Sequence, residues 1–83
     1  MIRVSYFARY RELLGRDGET LAWDPALGSL RALRAQLVAR GEPWARTLGQ
    51  ANLLCARNQD LCGLDEPLED GDDIAFFPPV TGG

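Results

Sequence analysis

Histidine is absent from this 83-residue chain, and so is lysine. Without an imidazole, neither a Ser-His-Asp nor a Cys-His arrangement can form, because nothing is available to take the nucleophile's proton. A closed zinc site of the usual kind is excluded too, since two cysteines and no histidine cannot fill its tetrahedral set. The chain also lacks a Gly-rich phosphate loop ending in Lys-Ser or Lys-Thr, so that route to ATP is closed. Asp70-Gly71-Asp72-Asp73 is acidic enough for calcium but lacks the bidentate Glu of an EF-hand loop, and Asp-Gly is first a turn signal.

All nine basic residues are arginines scattered from Arg3 to Arg57, and the formal charge is −3. No cluster is dense enough to track a phosphate backbone, which argues against a nucleic-acid partner. The missing lysines leave the N-terminus as the only amine for self-attachment. No apolar run approaches the length that spans a bilayer, and Met1 to Phe7 lacks the apolar segment of a signal peptide. Cys55 and Cys62 do not make a secreted disulfide framework. The expectation is two half-buried thiols in a reducing cytoplasm, with no membrane contact.

What is present is enough for one small domain. The apolar content of 46% suits a folded chain with a single thin core. Alternation over Ile2 to Phe7 predicts a first strand with Ile2, Val4 and Tyr6 inward and Arg3, Ser5 and Phe7 outward. Ala8 to Leu14 reads as a short helix stopped by Gly15, and Arg16-Asp17-Gly18 as a turn. Glu19 to Trp23 reads as a second strand, ended by Asp24-Pro25. Ser29 is a good N-cap for a helix over Leu30 to Arg40, with Gly41 just beyond its end. Leu30, Leu33 and Leu37 fall on one stripe of that helix, and Arg40 suits its negative end. Pro43 opens a short helix over Trp44 to Leu48. Asn52 to Arg57 reads as a third strand, Asn58-Gln59-Asp60 as a turn, and Leu61-Cys62 as a short return. After the Asp70-Gly71 turn comes the last strand, Asp73 to Phe77. Two strands, a long helix and further strands predict an α+β fold, a mixed sheet packed on one main helix.

The ending Phe76-Phe77-Pro78-Pro79-Val80-Thr81-Gly82-Gly83 is the most informative segment. Two prolines stiffen the path and remove two ladder donors, while two glycines can thread a narrow channel. The expected boundaries are a domain over residues 1–78 and an extended, flexible Gly-Gly tail over 79–83. A stiff neck ending in bare glycines suits delivery of the terminal carboxylate into another protein's pocket. That carboxylate is anionic at neutral pH and a poor electrophile until it is activated. The chain shows no nucleotide site, so the ATP must be used by a separate enzyme.

Phe7-Ala8, Arg11-Glu12-Leu13 with Gly15, Asn58-Gln59, the Leu68 to Asp72 turn and the FFPPVTGG ending carry a resemblance over most of the chain. The chain resembles the small subunits of molybdopterin synthases, a family of ubiquitin-like β-grasp sulfur carriers. The resemblance implies a β-grasp sheet with the first and last strands side by side and parallel at its centre. It implies that Gly83 is adenylated by an enzyme like those that activate ubiquitin, using ATP, and is then converted to a thiocarboxylate with a sulfur-donor system. The large subunit would receive the tail, in a heterotetramer of two small and two large subunits, and pass the sulfur to cyclic pyranopterin monophosphate. Phe7, Leu61 and Phe77 match the family's hydrophobic contact with that subunit. The resemblance implies no bound cofactor and no metal, and gives Cys55 and Cys62 no part in the mechanism. Three other readings remain at this point. One is a thiamine-pathway carrier, which keeps the reactive Gly83 and changes the acceptor. The second is a ubiquitin-like module with a chemically idle tail. The third, a free-standing enzyme, is opposed by the missing histidine.

Overall fold

The computed structural model describes residues 1–79, so the tail residues Val80, Thr81, Gly82 and Gly83 lie outside the described residues. The elements run β1 (Ile2–Tyr6), α1 (Arg9–Leu14), β2 (Gly18–Leu21), α2 (Leu30–Val38), α3 (Trp44–Leu48), β3 (Leu54–Arg57), β4 (Asp60–Cys62) and β5 (Asp73–Phe77). One sheet holds the strands in the order β2-β1-β5-β3-β4. β1 and β5 are parallel and central, while β1–β2, β5–β3 and β3–β4 are antiparallel. This is the β-grasp arrangement the resemblance implies.

Alternation divides the sheet as the sequence predicts. Ile2, Val4, Tyr6, Ile74 and Phe76 are buried on one face, and the α2 leucines 30, 33 and 37 close over them. Burying a leucine of this kind contributes about 1.5–3 kcal/mol. Ser29 caps α2 through its hydroxyl, which accepts from the Ala32 N–H at 3.2 Å. Gly15 ends α1 in the left-handed region at φ 71°, where a side chain would be strained.

The helix end differs from the expectation. α2 stops at Val38, and the next amides tighten onto carbonyls three residues back, Arg40 onto Leu37 and Gly41 onto Val38. Arg40 therefore does not serve the helix dipole. Its guanidinium donates two 2.9 Å hydrogen bonds to the Glu19 carboxylate of β2 and lies over the Trp44 ring, 4.4 Å from its centroid. The Tyr6 hydroxyl donates to the same carboxylate at 2.8 Å. Burial pushes the Glu19 carboxyl up, but the Arg40 and Tyr6 hydrogen bonds outweigh it and hold the group below its ordinary value. A pair with this much shared hydrogen bonding beats the diffuse attraction of a helix terminus.

Strand ends also shift. β1 stops at Tyr6, although the Phe7 N–H still donates to the Phe76 carbonyl at 3.2 Å. β2 runs Gly18–Leu21 rather than Glu19 to Trp23, and β3 begins at Leu54 rather than Asn52. In both, the residues left out lie beyond the reach of the partner strand.

Asp72 closes the turn before β5. Its carboxylate accepts from the Glu69 N–H at 2.8 Å, the Asn58 amide at 3.1 Å and the Arg57 guanidinium at 2.8 Å. Burial raises its carboxyl, and these three donors together hold it below its ordinary value. A carboxyl depressed in the folded state stabilises the fold above its unfolded pKa, about 3.9 for Asp, and loses that contribution as pH falls. Thermal midpoints are therefore expected to drop steadily below about pH 4. Asp72→Ala leaves part-buried donors unsatisfied, is expected to cost about 1 kcal/mol or more at neutral pH, and should flatten the acid limb. A melting series from pH 2 to 7, by circular dichroism, checks both.

Candidate functional site

The face of the sheet turned away from α2 carries two rows of side chains. In one row Ser5, Ala75, Ala56 and Leu61 lie across successive strands by register. In the next, Phe77 pairs with Leu54, and Phe7 follows the Tyr6–Phe76 pair on the other side. Small residues at the centre form a low floor, with the larger apolar groups standing around it. Phe7 is 49% exposed and Leu61 72% exposed, values that set them apart from the fully buried aromatics of the core. Phe77 is half-buried, less open than its outward alternation predicts. It sits on a central strand with Leu54 and Phe7 alongside, whereas Leu61 stands on the edge strand.

Strand spacing of roughly 4.8 Å puts Phe7, just past β1, and Leu61 on β4 about 14 Å apart across the sheet, with a further offset of one row along the strands. The three predicted contact residues thus share one face but do not touch as one cluster. A shallow depression of about 160 Å³ opens beside Phe7, lined by Ser5, Phe7, Gln59, Asp73, Ile74 and Ala75. Phe7 and Leu61 exposed on one sheet face, with Phe77 half-buried and charged residues at the margin, make that face the candidate docking surface. The margin includes Arg3, which reaches Asp73 at 3.9 Å. Leu54 and the alanine floor were missed by sequence reasoning. Their signal is pairing register, which a single sequence does not display.

The neck leaves directly from this face. Phe77 is the last residue of β5, and Pro78 and Pro79 follow it half-buried, with no N–H to extend the ladder. Being central, β5 is held on both sides, so the direction in which the chain leaves the sheet is fixed. From Pro78 to residue 83 an extended chain reaches at most about 20 Å. The proposed roles of Val80, Thr81, Gly82 and Gly83 fall outside the described residues.

Among the described residues no three His, Cys, Asp or Glu side chains come together to hold a metal. The thiols of Cys55 and Cys62 are free. Burial, then the neighbouring Cys62, pushes Cys55 up to about 11, and burial raises Cys62 as well. Neither is a ready nucleophile at neutral pH. Among the described residues no helix is long and apolar enough to cross a membrane.

The β3–β4 turn corrects the sequence reading by one residue. Asn58 and Gln59 alone form the loop, both at positive φ (50° and 74°), and Asp60 already pairs with Arg57. Such a two-residue loop matches the twist of the strands. The shift sets Cys55 directly opposite Cys62.

Comparison with known proteins agrees with this geometry. The profile of the ThiS family matches residues 4–83. The molybdopterin synthase sulfur carrier subunit of Escherichia coli (strain K12) is 48% identical over 83 residues, covering all of both chains. The protein of the same name from Haemophilus influenzae is 46% identical over the same length, again covering all of both. Among solved structures, a chain of the protein–protein complex of subunits 1 and 2 of molybdopterin-converting factor from Helicobacter pylori superposes with a TM-score of 0.68. It is 30% identical, over 99% of this chain and 97% of that one.

Proposed function

This chain belongs to the ThiS family, and on that premise we propose that it works as the sulfur carrier subunit of a molybdopterin synthase. The observation that carries the reading is the course of β5, which runs along the apolar outer face and hands the chain to the Pro78-Pro79 neck at that face's edge. A partner that covers Phe7, Leu61 and Phe77 would thereby receive residues 80–83.

In this reading Gly83 is the reacting residue. A separate adenylating enzyme joins the Gly83 carboxylate to AMP from ATP and releases pyrophosphate. A sulfur donor then displaces AMP, leaving a thiocarboxylate. The body docks on the large subunit, in a heterotetramer of two small and two large subunits. The thiocarboxylate gives its sulfur to cyclic pyranopterin monophosphate and returns to the carboxylate, so two loaded carriers supply one dithiolene. The chain itself binds no cofactor and performs no catalysis. It contributes a positioned acyl group to a sulfurtransferase. The site of action is the cytoplasm, where thiols like Cys55 and Cys62 stay reduced.

Mass spectrometry tests this directly. The chain is incubated with ATP, an adenylating enzyme and a sulfide source, then cut with trypsin. The peptide Asn58 to Gly83 is expected to exchange one oxygen for one sulfur. Because it also contains Cys62, the Cys55→Ala/Cys62→Ala variant is run beside it and is expected to take up the same sulfur. Uptake lost in the folded double variant would move the sulfur to a cysteine and overturn the reading. Transfer from the loaded carrier to cyclic pyranopterin monophosphate separates this carrier from a thiamine-pathway one.

A further inference from the structure

We propose that Cys55 and Cys62 are a cross-strand dithiol that closes to a disulfide on exposure to a low-molecular-weight disulfide such as glutathione disulfide, fastening the sheet edge that carries Leu61. The proposal rests first on register. Cys55 and Cys62 are direct partners in the β3–β4 ladder, two pairs in from a two-residue loop. Residues flanking such a loop exchange ladder hydrogen bonds, and the exchange recurs at every second pair. The cysteines therefore occupy a hydrogen-bonded pair, with Cα atoms about 5.5 Å apart. That separation lies inside the range of roughly 4.4–6.8 Å that a disulfide spans.

Direction agrees with distance. Directly opposed residues point to the same side of a sheet, here the core side, where Cys55 lies against the buried cluster and Cys62 packs on its margin. The Cys55 thiol already leans across the ladder and donates to the Cys62 carbonyl at 3.2 Å. Closing the bond needs side-chain rotation and no change of register.

Access comes from one side only. Cys62 is half-buried and borders an open depression of about 170 Å³ shared with Arg57, Asp60, Leu61 and Glu66. A small disulfide reaches Cys62 there, while Cys55 is covered. The order of events follows. The Cys62 thiolate attacks glutathione disulfide, whose S–S bond breaks and releases one glutathione. The Cys55 thiolate then attacks the Cys62 sulfur and expels the second. Both thiol protons end on glutathione, which is reduced by two electrons as the pair is oxidised. Burial makes the exchange slow at neutral pH, so the pair responds to sustained oxidising conditions rather than to brief ones.

The consequence is local. β4 is three residues long and, among the described residues, pairs with β3 alone, so it is the sheet edge most ready to open. A bond across Cys55 and Cys62 ties that edge to the strand beside β5. It plays no part in sulfur transfer as proposed above, where the terminal carboxylate carries the sulfur.

The experiment uses the full chain equilibrated with glutathione disulfide, then alkylated and weighed. The wild type is expected to lose the mass of two hydrogens and to resist alkylation, reversibly with dithiothreitol. Trypsin cuts after Arg57, so the peptides Thr47–Arg57 and Asn58–Gly83 are expected to remain linked. Cys55→Ala is expected to stop at a mixed disulfide on Cys62. Amide exchange in β4 of the closed wild type is expected to slow by about tenfold or more, as loop closure of this size predicts. A wild-type chain that stops at the mixed disulfide, or stays fully alkylatable, overturns the proposal. So does a linked chain whose β4 exchange is unchanged.

Discussion

Deleting Gly83, or adding one residue after it, is expected to abolish sulfur transfer while leaving the domain folded and able to dock. Each change moves the terminal carboxylate by about 3.5 Å along an extended chain. Misplacing a reacting atom by even 1 Å can cost on the order of 10²-fold in rate. The start of the tail cannot shift to absorb the error, because Pro78 and Pro79 follow a strand held on both sides. The core ends at Phe76, so neither variant removes a buried contact among the described residues. Single-turnover transfer assays with the large subunit measure the loss, and circular dichroism and docking affinity are the controls. Normal transfer by either variant would place the reactive group elsewhere.

The second large effect is on docking. Val80, Thr81 and two glycines bring little side-chain surface to a channel, so the sheet face must supply most of the binding energy. A buried aromatic anchor can be worth about 2 kcal/mol or more on truncation. Phe7→Ala is therefore expected to weaken binding to the large subunit roughly tenfold or more. Because Phe7 is half exposed and outside the core cluster, its removal should leave the melting temperature nearly unchanged. Phe77→Ala is expected to weaken binding similarly, and to cost some stability because Phe77 is half-buried beside Leu54. Titration calorimetry against the large subunit decides the matter. Unchanged affinity in both variants would mean that the partner covers a different face.

The sequence made the sheet's two faces readable because side-chain direction has a period of two. Ile2, Val4, Tyr6, Ile74 and Phe76 all lie where alternation puts them. Local punctuation was equally legible at Ser29 and Gly15, where capping chemistry acts within a few residues. What stayed hidden depends on partners distant in sequence. Arg40 was assigned to a helix end because Glu19, 21 residues away, could not be seen beside it. The Arg57–Asp72–Asn58 network was invisible for the same reason. The tail was read from its composition and lies past Pro79 outside the described residues, whereas the candidate docking face needed register to add Leu54, Ala56 and Ala75. One residue of loop length concealed the facing cysteines, since a slip of one re-pairs every position of a hairpin.

The central place of β5 also bears on how the domain takes mechanical load. A pull on the chain's end, with the body held by the sheet face, would run along the length of β5. The hydrogen bonds joining β5 to β1 and β3 run across that pull, so the two ladders carry it together as shear. A strand at the edge, pulled sideways, would instead peel off one bond at a time. A load along β5 is therefore shared by two ladders at once.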